Sequence, residues 1–180
     1  MKNSFRKYFR QGSFPLVFVL ITGFMLIHTS CRINYSFTGA SISPTVKTVS
    51  IQYFPNQAPL VVPTLSGTLT DALRDYFTSQ TNLVLVKSGG DLNIEGVITG
   101  YVVQPIAIQG NETAAMNRLT ITVNVKFTNK TNEKQDFETN FSRYQDYQSS
   151  KSLVSVQDDL IKEINDQLVQ DIFNKAVVNW

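Results

Sequence analysis

The chain has 180 residues, 16 of them basic and 14 acidic, with one histidine and one cysteine. Four basic residues, Lys2, Arg6, Lys7 and Arg10, sit in a leader; without residues 1–30, 12 basic residues face 14 acidic ones, a net charge of −2. That balance gives no reason to expect a nucleic-acid partner, and a mature chain without His28 or a free cysteine excludes Ser-His-Asp and Cys-His catalysis and the usual zinc sites.

The leader reads as a signal. Its basic start is followed by an apolar run over residues 14–27, then Thr29 and Ser30, then Cys31. A basic region, a short apolar region and small residues before a cut site describe a secretory signal peptide. The fourteen residues of the run fall short of the about twenty that a helical span needs. A cysteine directly after the small residues resembles a bacterial lipobox. The expectation is cleavage before Cys31, a diacylglyceryl group on its thiol and an acyl chain on the new amine. His28 departs from the pattern, since an apolar residue is usual there. Residues 31–44, rich in Ser, Thr and Gly, read as a lipidated tether, with a reach of about 45 Å at most. Residues 45–180 read as one domain, without a disulfide and therefore resting on its apolar core.

Within that domain, residues 46–54 alternate, with Val49, Ile51 and Tyr53 on one face, and read as a half-buried strand. Pro55, Pro59 and Pro63 punctuate the loop that follows. Leu65, Leu69, Ala72, Leu73 and Tyr76 recur at helical spacing, which predicts a helix over 64–79. Residues 83–86 form a short strand, ending at the Gly89-Gly90 turn. A long strand follows over 91–108, with Leu92, Ile94, Ile98 and Val102 on the face of Gly96 and Gly100, and Tyr101 on the other. Glycines on an apolar face mark a close backbone approach, and a helix is expected against them.

After a turn at Gly110-Asn111-Glu112, residues 116–128 alternate cleanly. Leu119, Ile121, Val123, Val125 and Phe127 face inward, and Arg118, Thr120, Thr122, Asn124 and Lys126 outward. A second turn at 129–134 leads to a strand over 137–147, whose phase slips between Phe141 and Tyr144 and so predicts a bulge. Ser155-Val156-Gln157-Asp158 matches a capping signature, with Asp158 as a cap residue. The helix it opens carries Val156, Leu160, Ile164, Leu168, Ile172 and Ala176 in one stripe and runs nearly to Trp180. The sum is an α+β fold, a two-layer sandwich of a mostly antiparallel sheet with two helices on one face. The other face stays polar and open to water or a partner.

Little in the chain suggests catalysis. Asp158 with Asp159, and Asp91 with Glu95, are more simply structural or solvated than acid/base couples. Gly89-Gly90 lacks the rest of a phosphate loop. The asparagines in Asn-x-Ser/Thr context, Asn34, Asn111, Asn129 and Asn140, read as chance matches. One cluster stands out: Arg143, Tyr144 and Tyr147 on the last strand, with Arg118 and Lys126 on its neighbour. It reads first as an ordinary exposed sheet face with cross-strand pairs. Its functional reading is a site for an anionic amphiphile, with Arg and Lys on phosphates.

Several stretches together resemble the LptE family of lipopolysaccharide-assembly lipoproteins. They are Tyr35-Ser36-Phe37-Thr38-Gly39, Gln52-Tyr53-Phe54-Pro55-Asn56, Pro63-Thr64-Leu65-Ser66, Ile98-Thr99-Gly100-Tyr101, Asn117-Arg118-Leu119-Thr120 and Asp171-Ile172-Phe173-Asn174-Lys175. The likeness covers nearly all of residues 31–180 and rests on no single short motif. It implies a non-enzymatic protein without a cofactor, lipid-anchored on the periplasmic side of the outer membrane. Its partner would be the LptD β-barrel, which it plugs while lipopolysaccharide is inserted in the outer leaflet. Candidate lipopolysaccharide contacts are Arg118, Lys126 and Arg143. Two other classes compete: a binding module of a different envelope transport complex, and a hydrolase working with carboxylates alone.

Overall fold

A computed structural model describes residues 42–106 and 115–178. The leader, Cys31, most of the tether, the Gly110-Asn111-Glu112 turn and Trp180 lie outside those residues. Among the described residues, five strands and two α-helices follow in order: β1 (Thr48–Ile51), α1 (Leu65–Gln80), β2 (Val84–Val86), β3 (Leu92–Ile106), β4 (Met116–Asn129), β5 (Phe137–Gln148) and α2 (Leu153–Val177). The strands form one sheet in the order β2-β1-β3-β4-β5. β1 is parallel to both β2 and β3, whereas β3, β4 and β5 form an antiparallel meander. This is the expected α+β fold with a mostly antiparallel sheet.

The helices cover one face. α1 lies on β1 and β2, α2 on β4 and β5, and the helices pack against each other. Phe173 of α2 wedges between Tyr76 and Phe77 of α1, with ring centroids 5.0 Å from each. Among the described residues, one continuous core joins the helix stripes to Ile94, Ile98, Ile121, Val123 and Val125. From Leu160 onward the α2 stripe is buried as its spacing predicts. The first turn of α1 shares a groove with Asp158 and its last turn with Gln170, so the two helices run in the same direction.

β1 is shorter than its alternation predicts. It ends at Ile51, Tyr53 is exposed, and Phe54 is fully buried in its stead. Pro55 has no N–H for a ladder, so the chain leaves β1 and runs beside β3, bonding Ile98 on both sides: Ile98 N donates to Pro55 O and Gln57 N to Ile98 O. The glycine of the apolar face receives this loop, not a helix. The Phe54 ring sits on Gly96.

The expected bulge in β5 is absent, because β5 pairs with β4 in unbroken register from Phe137 to Gln148. The bulge lies in β3 instead, between Ile98 and Gly100. One extra residue inverts the side-chain alternation beyond it. Tyr101 therefore turns into the core, and Val102 and Gly100 turn to the opposite face, the reverse of the simple alternation.

α2 begins before its capping signature. Ser152 is the N-cap, without a side-chain cap bond, and the Ser155 hydroxyl donates back to Ser152 O. Asp158 is thus a helical residue and caps nothing. Asp91 does the capping work elsewhere. Its carboxylate accepts from Lys47 N, Thr48 N and Thr48 Oγ1 at 2.8–2.9 Å. Those bonds, the Lys47 amide first, hold its pKa below the ordinary value.

The link from β2 to β3 crosses β1 on the face away from the helices. Gly90 lies directly on the backbone of Val49 and Ser50, with no room for a side chain. It donates to Ser50 Oγ at 3.2 Å, and Ser50 in turn donates to Asn93 Oδ1 at 2.7 Å. The face that stays open therefore belongs to β3, β4 and β5.

Candidate functional site

Registry places the open face in rows running from β3 through β4 to β5. Five of them are Glu95–Lys126–Glu138, Val97–Asn124–Asn140, Gly100–Thr122–Ser142, Val102–Thr120–Tyr144 and Gln104–Arg118–Asp146. Charge sits in the two outer rows, and the three middle rows carry none.

Each cation of this face already has an acid. Arg118 makes two bonds to Asp146, Nε to Oδ1 at 2.7 Å and Nη2 to Oδ2 at 2.9 Å. Its guanidinium carbon stands 3.6 Å from the centroid of the Tyr144 ring. The Asp146 bonds push its pKa further up, so it is permanently charged. Lys126 lies 3.6 Å from Glu95 and opposite Glu138. Arg118 and Lys126 against Glu95, Glu138 and Asp146 leave these rows with a net charge of −1.

The sequence cluster of five residues is split by the sheet. Arg118, Lys126 and Tyr144 share the open face. Arg143 is on the helix side, beside Ile121, and clamps Asp171 of α2, with Nη2 to Oδ1 at 2.7 Å. That clamp raises its pKa. Tyr147 is also on the helix side and buried. Adjacent strand residues point to opposite faces, so without a bulge Arg143 and Tyr144 could not stay together.

The middle rows were not singled out by sequence. Thr122 and Ser142 hydroxyls lie 3.0 Å apart, and Asn124 Nδ2 donates to Asn140 Oδ1 at 3.0 Å. That leaves Asn124 Oδ1, Asn140 Nδ2, Thr120 Oγ1 and Tyr144 OH without a partner among the described residues. Their only sequence signal was a run of Thr and Asn at outward positions. The described residues contain no group of three or more His, Cys, Asp or Glu able to hold a metal, and no helix long and apolar enough to cross a membrane.

A family model described as lipopolysaccharide-assembly, LptE, matches residues 46–176. The chain belongs to the LptE family. LptE proteins are non-enzymatic lipoproteins of lipopolysaccharide transport, and this LptE protein is accordingly not an enzyme. Solved structures similar to it include a minor lipoprotein from Acinetobacter baumannii, at 18% identity over 73% of this chain and 92% of that one, with a TM-score of 0.46. Another is the rare lipoprotein B from Shewanella oneidensis, at 13% identity over 69% and 91%, also with a TM-score of 0.46. No curated protein matches this LptE chain significantly.

Proposed function

We propose that this LptE protein is lipidated at Cys31, anchored to the periplasmic side of the outer membrane, and seated as a plug in an LptD β-barrel that inserts lipopolysaccharide. Family membership over residues 46–176 is the observation that carries this reading. Two physical features support it. A barrel lumen is lined with polar groups, and the face left open by β3, β4 and β5 carries mostly polar side chains. The core of the described residues is continuous, as a rigid plug requires.

In this reading the open face meets lipopolysaccharide, with Arg118 and Lys126 as its cations. Arg143, clamped to Asp171 on the helix side, belongs to the helix contact rather than to that face. A C-terminal tag on the full chain should capture a large β-barrel from detergent-solubilised membranes. The domain of residues 32–180 should bind lipopolysaccharide, and reversing Arg118 and Lys126 to Glu together should weaken that binding with circular dichroism unchanged. A domain that captures no barrel and binds no lipopolysaccharide would sink the proposal.

A further inference from the structure

The geometry points to the neutral middle of the open face as a seat for the saccharide units of the glycolipid, with its phosphates kept to the rim; the inference rests on the reading of this face given above. Three observations carry it.

The first is charge. Arg118 and Lys126 are eight residues apart on β4, about 27 Å at the rise of an antiparallel strand. They cannot grip one phosphate together. Each is already paired, to Asp146 and Glu95, and the rows sum to −1. A surface built for phosphates would present unpaired cations in reach of each other.

The second is relief. Gly100 has no side chain, and Thr122, Ser142 and the bulged Thr99, whose hydroxyl donates to Thr122 O, are short, so the central row is low. Any side chain at Gly100 would press on Thr122, because a Cβ there would stand 3.2 Å from the Cβ of Thr122. The bulge at Thr99 is what turns this glycine to the open face. Val102 and Tyr144, both half-exposed, rise on one side, and Val97, Asn124 and Asn140 on the other. The result is a shallow trough.

The third is chemistry. The trough offers uncharged donors and acceptors: Asn124 Oδ1, Asn140 Nδ2, Thr120 Oγ1 and the Tyr144 hydroxyl. Sugar hydroxyls, which both donate and accept, match such a set. The Tyr144 ring and the valines supply apolar contact for the C–H faces of a pyranose.

The test uses residues 32–180, which include every core residue described above, and three probes: intact lipopolysaccharide, its oligosaccharide freed of lipid and phosphate, and inorganic phosphate. The oligosaccharide should shift the amide resonances of Thr122, Asn124, Asn140 and Ser142, and phosphate should not. Ser142→Tyr, which fills the trough, should weaken lipopolysaccharide binding at least about tenfold. Binding of the phosphate-free oligosaccharide by the native domain should change less than about threefold between 50 and 500 mM salt, because neutral hydrogen bonds are not screened. Oligosaccharide binding that is steeply salt-dependent, or resonance shifts confined to the Arg118 and Lys126 rows, would overturn the saccharide seat and leave the wider reading standing. A domain with no lipopolysaccharide binding at all would remove both. If Ser142→Tyr fails to fold, the resonance map on the native domain decides.

Discussion

The ring of Phe54 occupies the space that a side chain on Gly96 would need: a Cβ there would come within 2.5 Å of Phe54 Cε1. The loop after β1 is thereby locked to the middle of β3. Gly96→Ala must displace the ring or bend the strand, and overpacking of this kind costs about 1–3 kcal/mol. Phe54→Ala leaves a void and costs about 3–5 kcal/mol. The double variant should be less destabilised than the sum of the two, since removing the ring clears one side of position 96 for a methyl group. The relief is partial, because the backbone oxygen of Asn124 also crowds that position. Urea denaturation of the four proteins checks this. Strict additivity would show that the two positions do not meet.

Leu168 is fully buried in the helix layer, whereas Val154, at the start of the same helix, is 86% exposed. Leu168→Ala should cost about 2–5 kcal/mol. Val154→Ala should lie within about 0.5 kcal/mol of the native protein. Equal denaturation midpoints for the two variants would refute the packing of α2.

Asp91 should make stability depend on acid. Its folded pKa is depressed, chiefly by the Lys47 and Thr48 hydrogen bonds. A depressed carboxylate contributes stability above its unfolded value and loses it as pH falls through the folded value. The advantage of the native protein over Asp91→Asn should therefore be full above pH about 5 and shrink below the ordinary value of 3.8. An advantage that is constant from about pH 6 to about pH 2 would assign the effect to shape and not to charge.

Cys31→Ala should abolish lipid attachment, leaving the precursor uncut or the product soluble. Metabolic labelling with palmitate and membrane fractionation report this. Several acyl chains hold a protein where one is marginal, so a processed variant that stays in the membrane would contradict the anchor.

Much of the fold was legible because alternation and helical spacing are local. β4 and the two helices needed nothing beyond their own periodicity. What the sequence hid was parity. The β5 residues Phe141 and Tyr144 suggested a slip in phase, yet the slip belongs to Thr99 of β3, where Ile98-Thr99-Gly100-Tyr101 looks regular. A bulge is decided by pairing with the neighbouring strand, and no single strand carries that information. The error propagated to the candidate site, because one residue of register moves a side chain to the other face. Asp91 was hidden for a different reason. Its partners, Lys47 and Thr48, are more than forty residues away.

The crossing of β1 by the link through Gly90 has a kinetic consequence. β3, β4 and β5 are joined by hairpins and can zip from neighbouring residues. β1, by contrast, must wait for strands that lie some forty residues later in the chain, since it pairs with Val84–Val86 on one side and with β3 on the other. Closing such long loops is slow relative to hairpin growth. Once the link is laid over Ser50, β1 is enclosed by helix on one face and by chain on the other. The expected order is meander first and β1 last, with the β1 amides the last to gain protection in pulse-labelled refolding. Under the proposed anchoring at Cys31, the N-terminal arm leads into the strand that completes folding, so that pulling on the anchor would load the segment sealed in at the end.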